Sequence, residues 1–505
     1  MCLGGSIPLS YRFVTPLRRL GALPAGVLAA LMDTFHPPAA RVRWLVAGAF
    51  HPSPSGRRFS LTAEAFTEQL GRVAGGLSLT VQDRIGAGDA STLEVSFDRL
   101  RAFQLFEVID SVPALRALRS AHEALSGARA LGPEEVAHLQ SVMGSGRLYS
   151  AMAESVRGQR SAEDARRAAL DVLAEALFAT ARDILQHPLV ARLESAWRGL
   201  YWLWEHCPAS AGMDIEVLDV GPHQLEEALT QSLDVPPLQR PDACFLLDPV
   251  DDMDTLRRLA ALGEQAWLPL VVAVPPSLLG EAHPPEAWAR LRADEASRWL
   301  GVALNPVVMM AEQQGAVRRE CFTSPALAVA ALLSASFRDT RTFARLVGPG
   351  SSIRAPAVWR PNPRSTVATE ACLSLREQEH QAAQGLLGVN GWWDSDTVHL
   401  LKAPTVYGGQ EAVPLPAQLL TGRLVRLAEE LAERLPASAS QEAVATLFSR
   451  AAEVFLSGGP GRSCQLHGQV VPTGNGTRGV HVRASLRPEL AGTAVQLEFT
   501  LPLRG

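Results

Sequence analysis

Lysine is all but missing from this 505-residue chain: among 47 basic side chains only Lys402 is one, and the rest are arginine. The skew most simply reflects GC-rich coding, although arginine is also the better bidentate partner at protein–protein contacts. There is no basic excess either. A net charge of −5 lacks the electrostatic footprint of a nucleic-acid binder. No run of about 18 uncharged apolar residues occurs, so no membrane-spanning helix is expected. The opening MCLGGSIPLSYRF has no basic region followed by an apolar core, and no signal peptide is expected. The six cysteines (Cys2, Cys207, Cys244, Cys321, Cys372 and Cys464) form no CxxC pair and no zinc spacing. They read as free thiols in a reducing, cytoplasmic compartment.

Catalytic signatures are scarce too. There is no G-x-x-x-x-G-K, no G-x-S-x-G and no H-E-x-x-H. Gly474, Gly476 and Gly479 satisfy G-x-G-x-x-G formally, but they lie between two predicted strands, where a dinucleotide loop would open a helix. They read as a hairpin turn. The acidic group Asp248, Asp251, Asp252 and Asp254 lacks the spacing, central glycine and closing glutamate of a calcium loop. Helix capping accounts for it better. No catalytic, cofactor-binding or metal-binding residue is assigned, and the chain is not expected to be an enzyme.

What is present is 47% hydrophobic residues with 20% charged, an ordinary globular balance in a chain long enough for two to four domains. RVRWLVAGAF (41–50) reads as a buried strand, then a helix at 63–73 capped by Thr62. LSLTVQDRI (77–85) and STLEVSFDRL (91–100) alternate as an antiparallel pair. Within 106–127 the second part of VIDSVPALRALRSAHEAL reads as an amphipathic helix, and helices follow at 133–143, 147–157 and 162–185. ILQHPLVARLESAWRGLYWLW (184–204) places Leu189, Leu193, Trp197, Leu200 and Trp204 on one helical face, with Pro188 in the first turn. Strand–helix alternation from 214 to 280 implies a parallel or mixed sheet covered by helices. Long helices are expected at 325–347, 416–435 and 441–456, and three strands at 464–472, 479–488 and 493–503. Residues 17–32 suggest one short helix broken at Pro24.

His187, Pro188, Leu193, Glu194, Trp197, Arg198, Gly199 and Leu200 give the pattern H-P-x-x-x-x-L-E-x-x-W-R-G-L. It closely resembles a helix near the start of the large subunit of the type VI secretion contractile sheath. Pro269, Pro276, Ser277, Leu278 and Gly280, and the late Leu486-Arg487-Pro488, resemble further motifs of that subunit, with Trp299 standing where it has a tyrosine. Upstream, Gly48 and Phe50, Ser96, Phe97, Leu100 and Phe103, and Val112, Pro113, Leu115 and Leu118 follow the order of motifs in the sheath small subunit.

The resemblance implies an α/β (α+β mixed), contractile-sheath-like fold, with mixed sheets covered by helices and a C-terminal antiparallel strand module. It divides the chain into a divergent N-terminal arm (1–40), a small-subunit-like domain (41–126), a linker (127–161) and a large-subunit-like domain (162–505), with a strand-exchange module at 464–503. It implies a structural subunit that self-associates or joins other sheath subunits, with an inner tube protein, a baseplate and a disassembly ATPase as partners. The arm does not match the strand with which the small subunit normally begins. Two alternatives stay open: a sheath-like accessory that does not polymerise, and an α/β enzyme with its site among Asp248, Asp252 and His223.

Overall fold

The buried run expected at 41–50 is a strand, and it occupies the middle of the main sheet. The computed structural model describes residues 7–10, 41–73, 76–127, 133–134, 144, 146–157, 159, 161–280, 286–348, 350–436, 438–457, 465–472 and 478–503. The helices expected at 17–32 and 133–143 lie outside those residues, the second but for two positions. In chain order the strands are β1 (Ile7–Ser10), β2 (Val42–Gly48), β3 (Arg58–Ser60), β4 (Leu77–Gln82), β5 (Ala90–Val95), β6 (Met213–Asp219), β7 (Ala243–Leu246) and β8 (Leu270–Ala273). They continue with β9 (Leu300–Leu304), β10 (Val307–Gln314), β11 (Val317–Thr323), β12 (Ile353–Arg354), β13 (Trp359–Asn362), β14 (Ser365–Val367), β15 (Leu386–Gly391) and β16 (Thr397–Leu400). The last three are β17 (Gln465–Pro472), β18 (Arg478–Leu486) and β19 (Val495–Pro502).

Nine of the described strands make one sheet in the order β12-β16-β15-β9-β8-β7-β2-β6-β3. The six from β15 to β6 run parallel, and antiparallel strands close both ends. This is the mixed sheet that strand–helix alternation predicts. Side-chain alternation sends Trp44 and Val46 of β2 to one face and Leu45 and Ala47 to the other, and all four are buried. Helices Pro188–His206 and Pro325–Thr340 contribute to the core on the first face. Leu225–Leu233, Met253–Ala266 and Glu286–Ala293 contribute to the second.

The Pro188–His206 helix buries more of its circumference than one stripe. Val190, Ala196, Gly199, Trp202 and Leu203 are buried along with Leu193, Trp197 and Leu200, whereas Leu189 and Trp204 are only half-buried. Phe50, His51 and Phe66 pack around Trp197, whose Nε1 donates to the Phe50 carbonyl at 2.8 Å. Gly199 is required by contact: a Cβ there would stand 2.0 Å from Thr323 Oγ1 and 2.7 Å from Leu327 Cδ1.

Candidate assembly interface

The three expected C-terminal strands form an antiparallel sheet, with Gln465 opposite Ser485 and Gly479 opposite Pro502. Its inner face is apolar by strict alternation: Leu466; Val480, Val482, Ala484 and Leu486; Val495, Leu497, Phe499 and Leu501. The Gln441–Ser457 helix packs beneath it through Val444 and Phe448. Gly468 gives that helix room, since a Cβ there would reach within 3.0 Å of Phe448. The outer face is polar. Glu498 accepts from Arg483 Nε at 2.9 Å and lies 2.7 Å from His481 Nε2. Those two partners hold its carboxyl below the usual range.

A fourth strand completes the sheet. β1 lies parallel to β19, with Ile7 opposite Val495 and Ser10 opposite Glu498. No strand was expected in 1–40, because four residues containing a proline carry little periodic signal. Backbone alternation fixes which groups face it. The Leu503 N–H donates to the Arg478 carbonyl at 2.9 Å, so odd-numbered residues of β19 face β18. Gln496 and Glu498 therefore present their N–H and C=O groups to β1. That edge is a strand acceptor.

A buried ionic cluster ties the Pro188–His206 helix to its surroundings. Arg319 of β11 holds Glu194 bidentately, at 2.5 Å and 3.0 Å, and reaches Glu312 of β10 at 2.9 Å and the Phe103 carbonyl at 2.8 Å. Arg198 donates to Glu194 at 2.7 Å and to the Leu100 and Phe103 carbonyls at 3.2 Å and 3.3 Å. Glu194 and Arg319 are each 1% exposed, so only mutual pairing makes their burial tolerable. Burial works against the Arg319 charge, but the two glutamates outweigh it and hold the guanidinium protonated. Three segments meet here: the motif helix, the β10–β11 hairpin and the Leu100–Phe103 turn.

A second cluster sits where β2 and β6 end. Asp219 accepts from the Phe50 N–H (2.9 Å), the Ser55 N–H (2.8 Å) and Ser55 Oγ (3.0 Å), and lies 2.9 Å from His51 Nδ1. His51 Nε2 lies 3.0 Å from the Gln69 carbonyl. Both ring nitrogens thus face acceptors, which favours the imidazolium. Burial opposes that charge, but Asp219 outweighs it and raises the His51 pKa above 6.5. Burial likewise raises the Asp219 carboxyl, yet His51 and the Ser55 and Phe50 amides bring it below 3.8.

The acidic group is dispersed among separate tasks. Asp252 caps the Met253–Ala266 helix by accepting from the Thr255 N–H at 2.7 Å. Asp248 accepts from the Ala49 N–H at 3.1 Å, and burial raises its pKa. Asp254 pairs with Arg257 at 2.6 Å, and His223 stands exposed in the Pro222–Gln224 turn. No group of three metal-ligating side chains occurs among the described residues. Cys207, Cys244, Cys321 and Cys372 are free thiols, and burial pushes Cys207 up to about 12; Cys2 and Cys464 lie outside the described residues. The loop holding Gly474 and Gly476 also lies outside them, but it joins β17 directly to β18. No described helix is long and apolar enough to cross a membrane.

Residues 168–237 match the model of a family described as VipB, EvpB/VC_A0108, tail sheath N-terminal domain. The matched stretch contains the whole Pro188–His206 helix and β6. No curated protein matches the chain. Solved structures to which it is similar include the PVC sheath complex of an extracellular contractile injection system in the contracted state. That pair has a TM-score of 0.37 and 13% identity, over 64% of this chain and 81% of the other. The contracted helical sheath of the anti-feeding prophage gives 0.36 and 12%, over 62% and 79%. The sheath tail protein Lin1278 from Listeria innocua gives 0.33 and 12%, over 55% and 60%.

Proposed function

We propose that this chain is a structural subunit of a contractile sheath of the type VI secretion kind, in which small- and large-subunit-like regions are fused. The observation that carries the reading is the detached strand β1 on the edge of β19. A short strand, Ile7–Ser10, separated in sequence from the next described strand Val42–Gly48 and paired parallel to a sheet edge, is suited to exchange between copies. Assembly would proceed by seating one copy's arm on the β19 edge of the next. Contraction would rotate the subunit bodies while the shared sheets persist, driving an inner tube outward from a baseplate. A disassembly ATPase would act on the contracted form. β2, from the region 41–126, lies between β6 and β7 of the region 162–505, which fits two subunits that are obligate partners.

A second reading has its own support. β1 pairs with β19 of the same chain, and an edge filled from within accepts nothing from outside. That arrangement suits a non-polymerising accessory, such as a cap or a baseplate-proximal adaptor. Negative-stain microscopy of the purified chain separates the two: tubules or rings support the sheath subunit, and a monomer at high concentration supports the accessory. Gln496→Pro removes an N–H that faces β1 and leaves the β18 ladder intact. It should abolish tubules while the circular dichroism stays unchanged, and tubules that persist would rule out the β19 edge as the link.

A further inference from the structure

The two edges of the C-terminal sheet are unequal. At the far edge, Gln441, the first residue of the Gln441–Ser457 helix, turns its side-chain amide onto β17. Its Oε1 accepts from the Val470 N–H at 2.7 Å, and its Nε2 donates to the Gly468 carbonyl at 3.3 Å. Those are the groups that a neighbouring strand would use, and one primary amide satisfies both as the N–H and C=O of a single residue of a parallel strand would. Further along the same edge Pro472, two residues from Val470, has no N–H to offer. The other end of the sheet is closed by similar means. Since Gln496 faces β1, parallel register turns its opposite residue, Pro8, away from β19. The outer edge of β1 therefore lacks a donor at its second residue.

We infer that the C-terminal sheet is a single-slot acceptor, which takes one arm strand at the β19 edge and is sealed against further strands by Gln441 on β17 and by Pro8 on the arm itself. The inference rests on the strand-exchange reading and adds its stoichiometry: one arm per sheet, from a second copy of this chain. Exposed edges otherwise invite edge-to-edge pairing, and natural sheets block them with prolines, charges and covering groups. A sheath subunit with both edges open would cross-link laterally into bundles.

Gln441→Ala and Gln441→Lys test this in the full-length chain, because both lose the amide bonds and only the lysine leaves a charge at the edge. Sedimentation velocity should show Gln441→Ala associating at a roughly tenfold lower concentration than wild type, as one or two recovered edge bonds imply. Gln441→Lys should behave as wild type. Hydrogen exchange locates the contact: new protection on association should appear within 465–472. Arm exchange is read separately, as protection within 495–502. Equal association of the two variants would point to general destabilisation, and association of neither would mean that Gln441 guards nothing; either result overturns the inference. Protection absent from 495–502 but gained at 465–472 would refute arm exchange and leave the guard standing.

Discussion

Replacing Arg319 with methionine keeps a long apolar stem and removes the guanidinium that joins Glu194 to Glu312 and the Phe103 carbonyl. The Glu194 carboxylate, 1% exposed, would keep Arg198 at 2.7 Å and the Cys321 thiol beside it. Glu312 would lose its partner at 2.9 Å, and the Phe103 carbonyl would lose a 2.8 Å bond. Breaking a buried pair from one side costs about 3–5 kcal/mol, because the remaining charge stays buried without compensation. At about 1.5 °C per kcal/mol, extrapolated to this chain length, the unfolding midpoint should fall by about 5–8 °C. Tryptophan fluorescence is the assay, since Trp197 sits one residue from Arg198 on the same helix. Glu194→Gln alone should also destabilise. The double variant should cost less than the sum by about 1–3 kcal/mol, as expected of partners in direct contact. Additivity within about 0.5 kcal/mol, or a single-variant loss below about 1 kcal/mol, would refute the claim that this pairing locks the helix to the β10–β11 hairpin.

Gly199→Ala should destabilise the chain by about 1–3 kcal/mol, because overpacking against Thr323 and Leu327 exceeds the roughly 1 kcal/mol gain in helix propensity; Thr323→Ala in the same chain should restore part of it, and a neutral Gly199→Ala would contradict the close approach. The His51–Asp219 pair sets a pH window. His51's raised pKa contributes stability that is fully present below its unfolded value near 6.5 and is lost as pH rises through the folded value. Asp219's lowered pKa contributes stability present above about 3.8 and lost as pH falls through its folded value. Unfolding midpoints should therefore decline on the alkaline side, and His51→Gln should flatten that decline; an unchanged profile would show that the ring is not held charged.

The main sheet is legible because parallel strands buried on both faces read as near-continuous apolar runs, as β7 (ACFL) and β8 (LVVA) do and β2 does but for Arg43, while β6 (MDIEVLD) shows itself by alternation. The motif helix is legible as a core element with a broad aromatic and aliphatic face, and the structure extends its burial to Val190, Ala196 and Trp202. The β10–β11 hairpin is not legible in the sequence. Its inward-facing residues on β11 are Val317, Arg319, Cys321 and Thr323, and an arginine in that series hides the period-two signal that betrays a strand. Glu194 and Arg198 could be quoted from the motif, but their partner lies 125 residues away from Glu194, where periodicity carries no information. The arm strand escaped because four residues are too few to show a period.

The central position of β2 bears on how the chain folds as it is made. Its parallel neighbour β6 begins about 170 residues later, with Val42 opposite Met213. At about 5–20 residues per second, some 10–30 s pass between the synthesis of the two. Throughout that interval an apolar strand, VRWLVAG, has neither of its native neighbours, and β7 follows β6 by a further stretch. The first half of the sheet must therefore wait for the second, which predicts slow acquisition of native structure and a dependence on holding factors during synthesis. Carrying both halves on one polypeptide shortens the search, because closing a tether that long costs only a few kcal/mol of loop entropy and requires no encounter between separate molecules.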